Sequence, residues 1–148
     1  MSTKATIEQL QQIQVNAFAY ELLREQLIPD LIGKERNRIL YWAGKNLARN
    51  YPLESFEEVI SFFIDAGWGE LTIIEQKRRE MQLQLVGSLI TERYRSKRHS
   101  TYQLEAGFIA QQIQQQRGVI TETYEEQKKR SDKVLFTVKW DPKDITED

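Results

Sequence analysis

The chain contains no cysteine. Disulfides, thiolate nucleophiles, thiolate metal ligands and S-acylation are excluded with it. Histidine is nearly absent as well: His99 stands alone among 148 residues, and it lies in a basic stretch that reads as solvated. No HExxH, GxSxG or glycine-rich phosphate loop occurs. An excess of either charge is missing too. The 21 basic and 22 acidic residues leave a net charge of -1, so no general attraction to nucleic acid or to an anionic membrane is expected. No apolar run approaches the roughly 20 residues that a membrane span needs. The first residues, Met1-Ser2-Thr3-Lys4-Ala5-Thr6, lack the apolar stretch of a signal peptide. These absences give the expectation of a cytoplasmic protein, one domain over residues 1–148, with no cofactor and no metal.

What is present is a core and its punctuation. Hydrophobic residues make up 40% of the chain, enough to build one packed domain. The first helix is expected over Ile7–Ile28, with Thr6 as N-cap and Pro29 as its end, because the residue before proline leaves the helical region. Two apolar stripes fall on it: Leu10, Ile13, Ala17 and Tyr20, and then Val15, Phe18 and Leu22. A helix apolar on two sides is deeply buried or has a second partner. Lys34–Tyr51 is expected as the second helix, with small residues Gly44 and Ala48 four apart, a spacing read as ordinary close helix packing. Ser55 and Glu58 form a capping box before Phe56, Val59, Ile60, Phe63 and Ile64, an amphipathic third helix that Gly67 ends.

Two short strands then read as a hairpin. Leu71–Glu75 and the alternating Met81–Val86 flank the charged turn Lys77-Arg78-Arg79-Glu80. Gly87–Ser100 fits a short helix or an extended linker equally well. Gln103–Arg117 is expected as the central helix, stopped by Gly118. Ile120–Tyr124 and Val134–Trp140 follow as strands. In the last of these, Val134, Phe136, Val138 and Trp140 alternate against Leu135, Thr137 and Lys139. Gln111, Gln112, Gln114, Gln115 and Gln116 read as surface glutamines, and Asp141–Asp148 as a frayed acidic tail. The order is ααα-ββ-α-ββ: an α+β domain with an antiparallel sheet of about four strands and helices on one face.

Five stretches in combination resemble the YslB family of small bacterial proteins. They are Ala17-Phe18-Ala19-Tyr20-Glu21-Leu22, Tyr41-Trp42-Ala43-Gly44-Lys45, Ala66-Gly67-Trp68-Gly69, Gln103-Leu104-Glu105-Ala106-Gly107-Phe108-Ile109-Ala110 and Val138-Lys139-Trp140-Asp141. That family is similar in layout to 4-vinyl reductase domains and to subunits of the TRAPP vesicle-tethering complex. The resemblance implies a small-molecule sensor or a dimerising scaffold. Vinyl reductase domains carry glutamate, two residues, cysteine, and later a cysteine two residues before phenylalanine. Here Glu122 and Phe136 match, while Glu125 and Val134 stand where the thiolates would be.

Function classes follow from these residues. The leading expectation is a non-enzymatic module that binds a small apolar ligand or a partner protein as a homodimer. Val15, Phe18 and Leu22 are the expected dimer contacts. Trp42, Tyr102, Glu105, Phe108 and Glu122 are the candidate ligand-binding residues, with an aromatic core as the simpler reading of the rings. The alternative is a cofactor-independent enzyme in which Glu105 or Glu122, desolvated in an apolar cavity, has a raised pKa. The cluster Arg93, Arg95, Lys97, Arg98 and His99 is read as a solvated loop rather than a phosphate site. A stable zinc site needs about four ligands, usually cysteine or histidine. Protein purified after mild chelation is therefore expected to carry no stoichiometric zinc, and elemental analysis finding one zinc per chain would contradict the donor count.

Overall fold

The computed structural model describes residues 3–146, with the side chains of 3–5 left undescribed. The chain divides into two compact units, Met1–Arg36 and Asn37–Asp148.

The first unit departs from the single helix expected over Ile7–Ile28. Helix α1 spans Thr3–Gln11, with Thr6 inside it rather than capping it, and the chain then breaks. Helix α2, Ala17–Glu21, restarts at Asn16, whose side chain accepts the Ala19 amide at 3.2 Å. The two stripes are thus spread over two helices, the break between them and the first residue of the turn that follows. The chain then widens into a π turn, Leu22–Leu27, and continues as α3, Ile28–Ile32. Pro29 does not end the segment. The Ile28 amide bonds back to the Leu23 carbonyl, five residues away, and the wider turn accommodates the proline ring at the first positions of α3. Gly33, at φ 68°, supplies the break that proline was expected to make, ahead of a 3₁₀ turn, Gly33–Glu35.

The second unit begins within α4, Arg36–Asn50. Helix α5, Phe56–Asp65, is capped by Ser55, which accepts the Glu58 amide at 3.2 Å. The Glu58 carboxylate reaches one residue further than a standard capping box and takes the Glu54 amide at 2.8 Å. Gly67, at φ 76°, ends α5 as expected. Strands β1, Glu70–Gln76, and β2, Glu80–Val86, form the hairpin. The irregular stretch resolves into α6, Ser88–Arg95. Helix α7 spans Gln103–Arg117 and stops at left-handed Gly118. Strands β3, Val119–Lys128, and β4, Lys133–Ile145, complete one antiparallel sheet in the order β1-β2-β4-β3. The fold is α+β, as its element order indicates. Asp141–Ile145, expected to fray, instead continue β4: Ile145 pairs with Val119, and the Thr146 amide bonds to the Gly118 carbonyl at 3.0 Å. Glu147 and Asp148 lie outside the described residues.

The core of this unit lies between α7 and the sheet. Leu71, Met81, Leu83, Leu85, Val134, Phe136 and Val138 are buried, and so is α7 from Glu105 to Ile113. Helix α4 crosses α7 at two glycines. A Cβ on Gly107 would overlap the Tyr41 carbonyl, and one on Gly44 would overlap the Leu104 carbonyl and stand 2.8 Å from the Phe108 amide nitrogen. The spacing of Gly44 and buried Ala48 serves this close packing. Among the described residues no helix is long and apolar enough to cross a membrane.

The crossing sets a test of sign. Glycine to alanine inside a helix ordinarily gains about 1 kcal/mol of propensity. Gly107→Ala is expected instead to lower stability by about 1–3 kcal/mol through overpacking, and Gly107→Leu by more. Thermal melts should show both below wild type, with exposed Asn46→Ala unchanged or slightly above it. An unchanged melting temperature for Gly107→Leu would disprove the contact.

Candidate functional site

The sequence-predicted ligand residues do not share one cavity. Phe108 is packed in a ring cluster: its centroid is 4.6 Å from Phe62 and 5.2 Å from Trp68, which itself lies 4.9 Å from Phe63. The core reading holds for these rings. Trp42 does not join them and is 61% exposed.

Tyr102 is fully buried at the start of α7, with the Arg93 guanidinium against it. Nη1 of Arg93 lies 3.4 Å from the phenol oxygen, and Cζ sits 5.7 Å from the ring centre. Arg93, expected in a solvated loop, is thus buried on α6, while Arg95, Lys97, Arg98 and His99 are exposed. Helical spacing explains the split: α6 turns Ile90 and Arg93 inward together. Glu105, one turn beyond Tyr102, is also fully buried.

Glu122 lies elsewhere. Along β3, Thr121 and Thr123 are buried, so by alternation Glu122 and Tyr124 face away from α7. Tyr124 donates its hydroxyl to the Glu122 carboxylate at 2.6 Å, which holds the phenol pKa above its usual value. Glu105 and Glu122 are therefore on opposite faces of the sheet and do not converge on one substrate atom. Glu122 borders an open hollow of about 500 Å³ with Tyr124, Lys139, Trp140 and Asp144.

Glu125 does what sequence reasoning did not foresee. Glu125 lies within β3, which runs on to Lys128, and it pairs with Phe136 on the face beneath α7. Its carboxylate accepts the Tyr102 amide at 3.1 Å, the Thr101 hydroxyl at 3.3 Å and the Gln103 side-chain amide at 2.6 Å. It caps α7 from across the fold, at the positive end of the helix dipole. No local motif announces a cap supplied from 23 residues away.

Of the α7 glutamines expected on the surface, Gln115 is exposed, while Gln111 and Gln112 are buried. Gln112 is fully buried, accepting the Leu53 amide at 3.0 Å and donating to the Tyr51 carbonyl at 2.7 Å. Gln115 and Gln116 donate to the Ala48 and Leu53 carbonyls. Together they fasten the connection between α4 and α5.

Metal does not fit the vinyl-reductase-like positions. Val134 is a buried apolar residue, Glu125 is spent on the helix cap, and Glu122 accepts from Tyr124 on the other face. Among the described residues, no group of three or more His, Asp or Glu side chains is placed to hold an ion.

An open groove of about 650 Å³ lies between α5, β1 and α6. Ile60, Ile64, Trp68, Leu71, Leu89 and Ile90 give it an apolar lining. None of the five candidate ligand residues borders it.

Comparison with known proteins agrees with the fold. Residues 17–139 match the family described as "Protein of unknown function (DUF2507)". The uncharacterized protein YslB of Bacillus subtilis (strain 168) is 50% identical over 141 residues, 95% of each chain. A crystal structure of a vinyl-4-reductase family protein from Methanocaldococcus jannaschii superposes with a TM-score of 0.62 at 18% identity, covering 91% of this chain and 88% of that one. A trafficking protein particle complex subunit 3 from Naegleria fowleri, covalently bound to palmitic acid, matches at 12% identity and a TM-score of 0.48. It covers 97% of this chain and 99% of that one, a likeness too loose to place any residue.

The remote cap can be tested directly. Glu125→Ala strips the acceptor from the Tyr102 amide and is expected to cost about 1–3 kcal/mol. Amide exchange should rise first at residues 101–106. Exchange unchanged there would show that the carboxylate does not hold the helix start.

Proposed function

The chain belongs to the family described as protein of unknown function DUF2507, and on that premise we propose that it is a cytoplasmic, non-enzymatic binding module. It works as a homodimer that engages a partner protein, its copies meeting through the amino-terminal helical segment. One observation carries the reading: no residue from Ala17 to Ile32 is buried, although the segment is rich in large apolar side chains. Phe18 is 72% exposed and Leu31 82%, with Val15, Leu22, Leu23, Leu27 and Ile28 exposed beside them. Patches of this kind on soluble proteins mark interaction surfaces. A two-fold pair, in which the same patch meets itself, is the simplest closure. The family match begins at Ala17, so the segment belongs to what the family shares. A partner protein is favoured over a small ligand because Phe108 is packed among other rings and Trp42 stands in the open. An enzymatic reading has no support in the separated Glu105 and Glu122.

Sedimentation at micromolar concentration decides. Wild type is expected at twice 17.5 kDa. Phe18→Asp is expected at the monomer mass with its melting transition intact, since the ring it removes supports no core. A wild-type protein sedimenting as a monomer would end the reading.

A further inference from the structure

The two edges of the sheet are treated differently. The β3 edge is closed by side chains: the Thr121 amide bonds to Oε1 of Gln114 at 3.2 Å, and the Thr123 amide to the Tyr41 hydroxyl at 3.1 Å. Side chains of α7 and α4 thus occupy the donors that another strand would use. The β1 edge has no such cover. Every second residue of an edge strand turns its N–H and C=O away from the neighbouring strand. Among the described residues, the outward backbone groups of Glu70–Gln76 have no partner. Beside this open ladder runs the apolar groove lined by Ile60, Ile64, Trp68 and Leu71. Ile64 is 60% exposed, and Ile73 and Ile74 are exposed as well.

We propose that the β1 edge and the adjoining groove take up one extended segment of a partner protein, added antiparallel to β1 as a fifth strand. This rests on the partner-binding reading above but uses a different surface. Main-chain groups are what the edge leaves unsatisfied, so the occupant is a strand rather than a helix or a small apolar molecule. The register shift between Ile73 and Glu75 interrupts the ladder, so the docked stretch is confined to the Glu70–Ile73 half beside the groove. Alternation then sends every second side chain of the segment into the groove, and these are apolar. Lys77, Arg78 and Arg79 are exposed beyond the end of β1, while exposed Asp65 and Glu70 lie at its start. An antiparallel segment whose amino end extends past Ile73 toward the basic turn meets that charge best with an acidic residue there.

The probe is a capped peptide, Glu-Met-Gln-Leu-Gln-Leu-Val, the sequence of residues 80–86, which has the acidic start and the apolar alternation. Hydrogen exchange read by NMR on the full chain should show the outward amides of Glu70–Ile73 slowed about tenfold or more at saturating peptide. Ile64→Asp, a change at an exposed position, should weaken the peptide about tenfold or more, and a Lys-first peptide should bind more weakly than the Glu-first one. Phe18→Asp should bind it as wild type does, so loss of the dimer and loss of the edge are told apart. Unchanged exchange at millimolar peptide overturns the proposal, as does undiminished binding to Ile64→Asp. Protection of the same amides on raising protein concentration alone would make the occupant a second copy and overturn it too.

Discussion

The contact of α4 with α7 at Gly44 and Gly107 sets the distances on which the rest of the larger unit depends. Two helices can touch backbone to backbone only where neither carries a Cβ at the crossing, and here the bare positions face each other's carbonyls. That closeness brings other groups within reach. The Tyr41 hydroxyl arrives at the Thr123 amide, Gln112 at the Tyr51 carbonyl and the Leu53 amide, and Gln115 at the Ala48 carbonyl. Such hydrogen bonds need donor and acceptor at about 2.7–3.2 Å and near-linear geometry to be strong. A separation larger by one methyl group would loosen these together, and burial would then turn each lost bond into a penalty. The glycines therefore act through the polar bonds they permit as much as through their own packing.

The same geometry explains why β3 can carry polar residues on its covered face. Thr121 and Thr123 are buried and Glu125 is half-buried, positions where an antiparallel sheet under a helix usually places apolar side chains. Among the described residues, Thr121 and Glu125 find partners there, while the buried Thr123 hydroxyl has none. The Thr121 hydroxyl donates to the Val119 carbonyl, and Glu125 collects donors from the start of α7. Burial also raises the pKa of Tyr41, outweighing the lowering effect of its bond from the Thr123 amide.

The sequence made the larger unit legible where its signals were local. Ser55 with Glu58, Gly67, Gly118 and the alternation of Val134, Phe136 and Val138 each depend on residues within a few positions, and each appears where local rules place it. The misreadings share a different origin. Gln112 and Arg93 are polar residues whose partners lie far along the chain or on another helix, so composition suggested solvent where the fold provides bonds. Glu125 caps a helix that begins earlier in the chain, an arrangement no local window contains. Pro29 misled for the opposite reason. A local rule was applied at a place where a π turn changes the rule's geometry. The candidate ligand residues were joined by residue type alone, and the fold separates them because helix phase and strand alternation assign Phe108, Trp42 and Glu122 to different surroundings.

These commitments narrow what the protein does. Arg93 and Tyr102 engage each other, Glu125 holds a helix start, and the glutamines of α7 fasten a connection, so these polar groups are used by the fold. Two of the features turned outward are the apolar side chains from Val15 to Leu31 and the uncovered main chain of β1 beside its groove. Both are suited to contact with another polypeptide, one through area removed from water and the other through a hydrogen-bonded ladder. With the charges of the chain nearly balanced, recognition of this kind draws little on long-range attraction. Selectivity must then come from register and shape, the properties that a bulged edge strand and a groove of fixed lining impose.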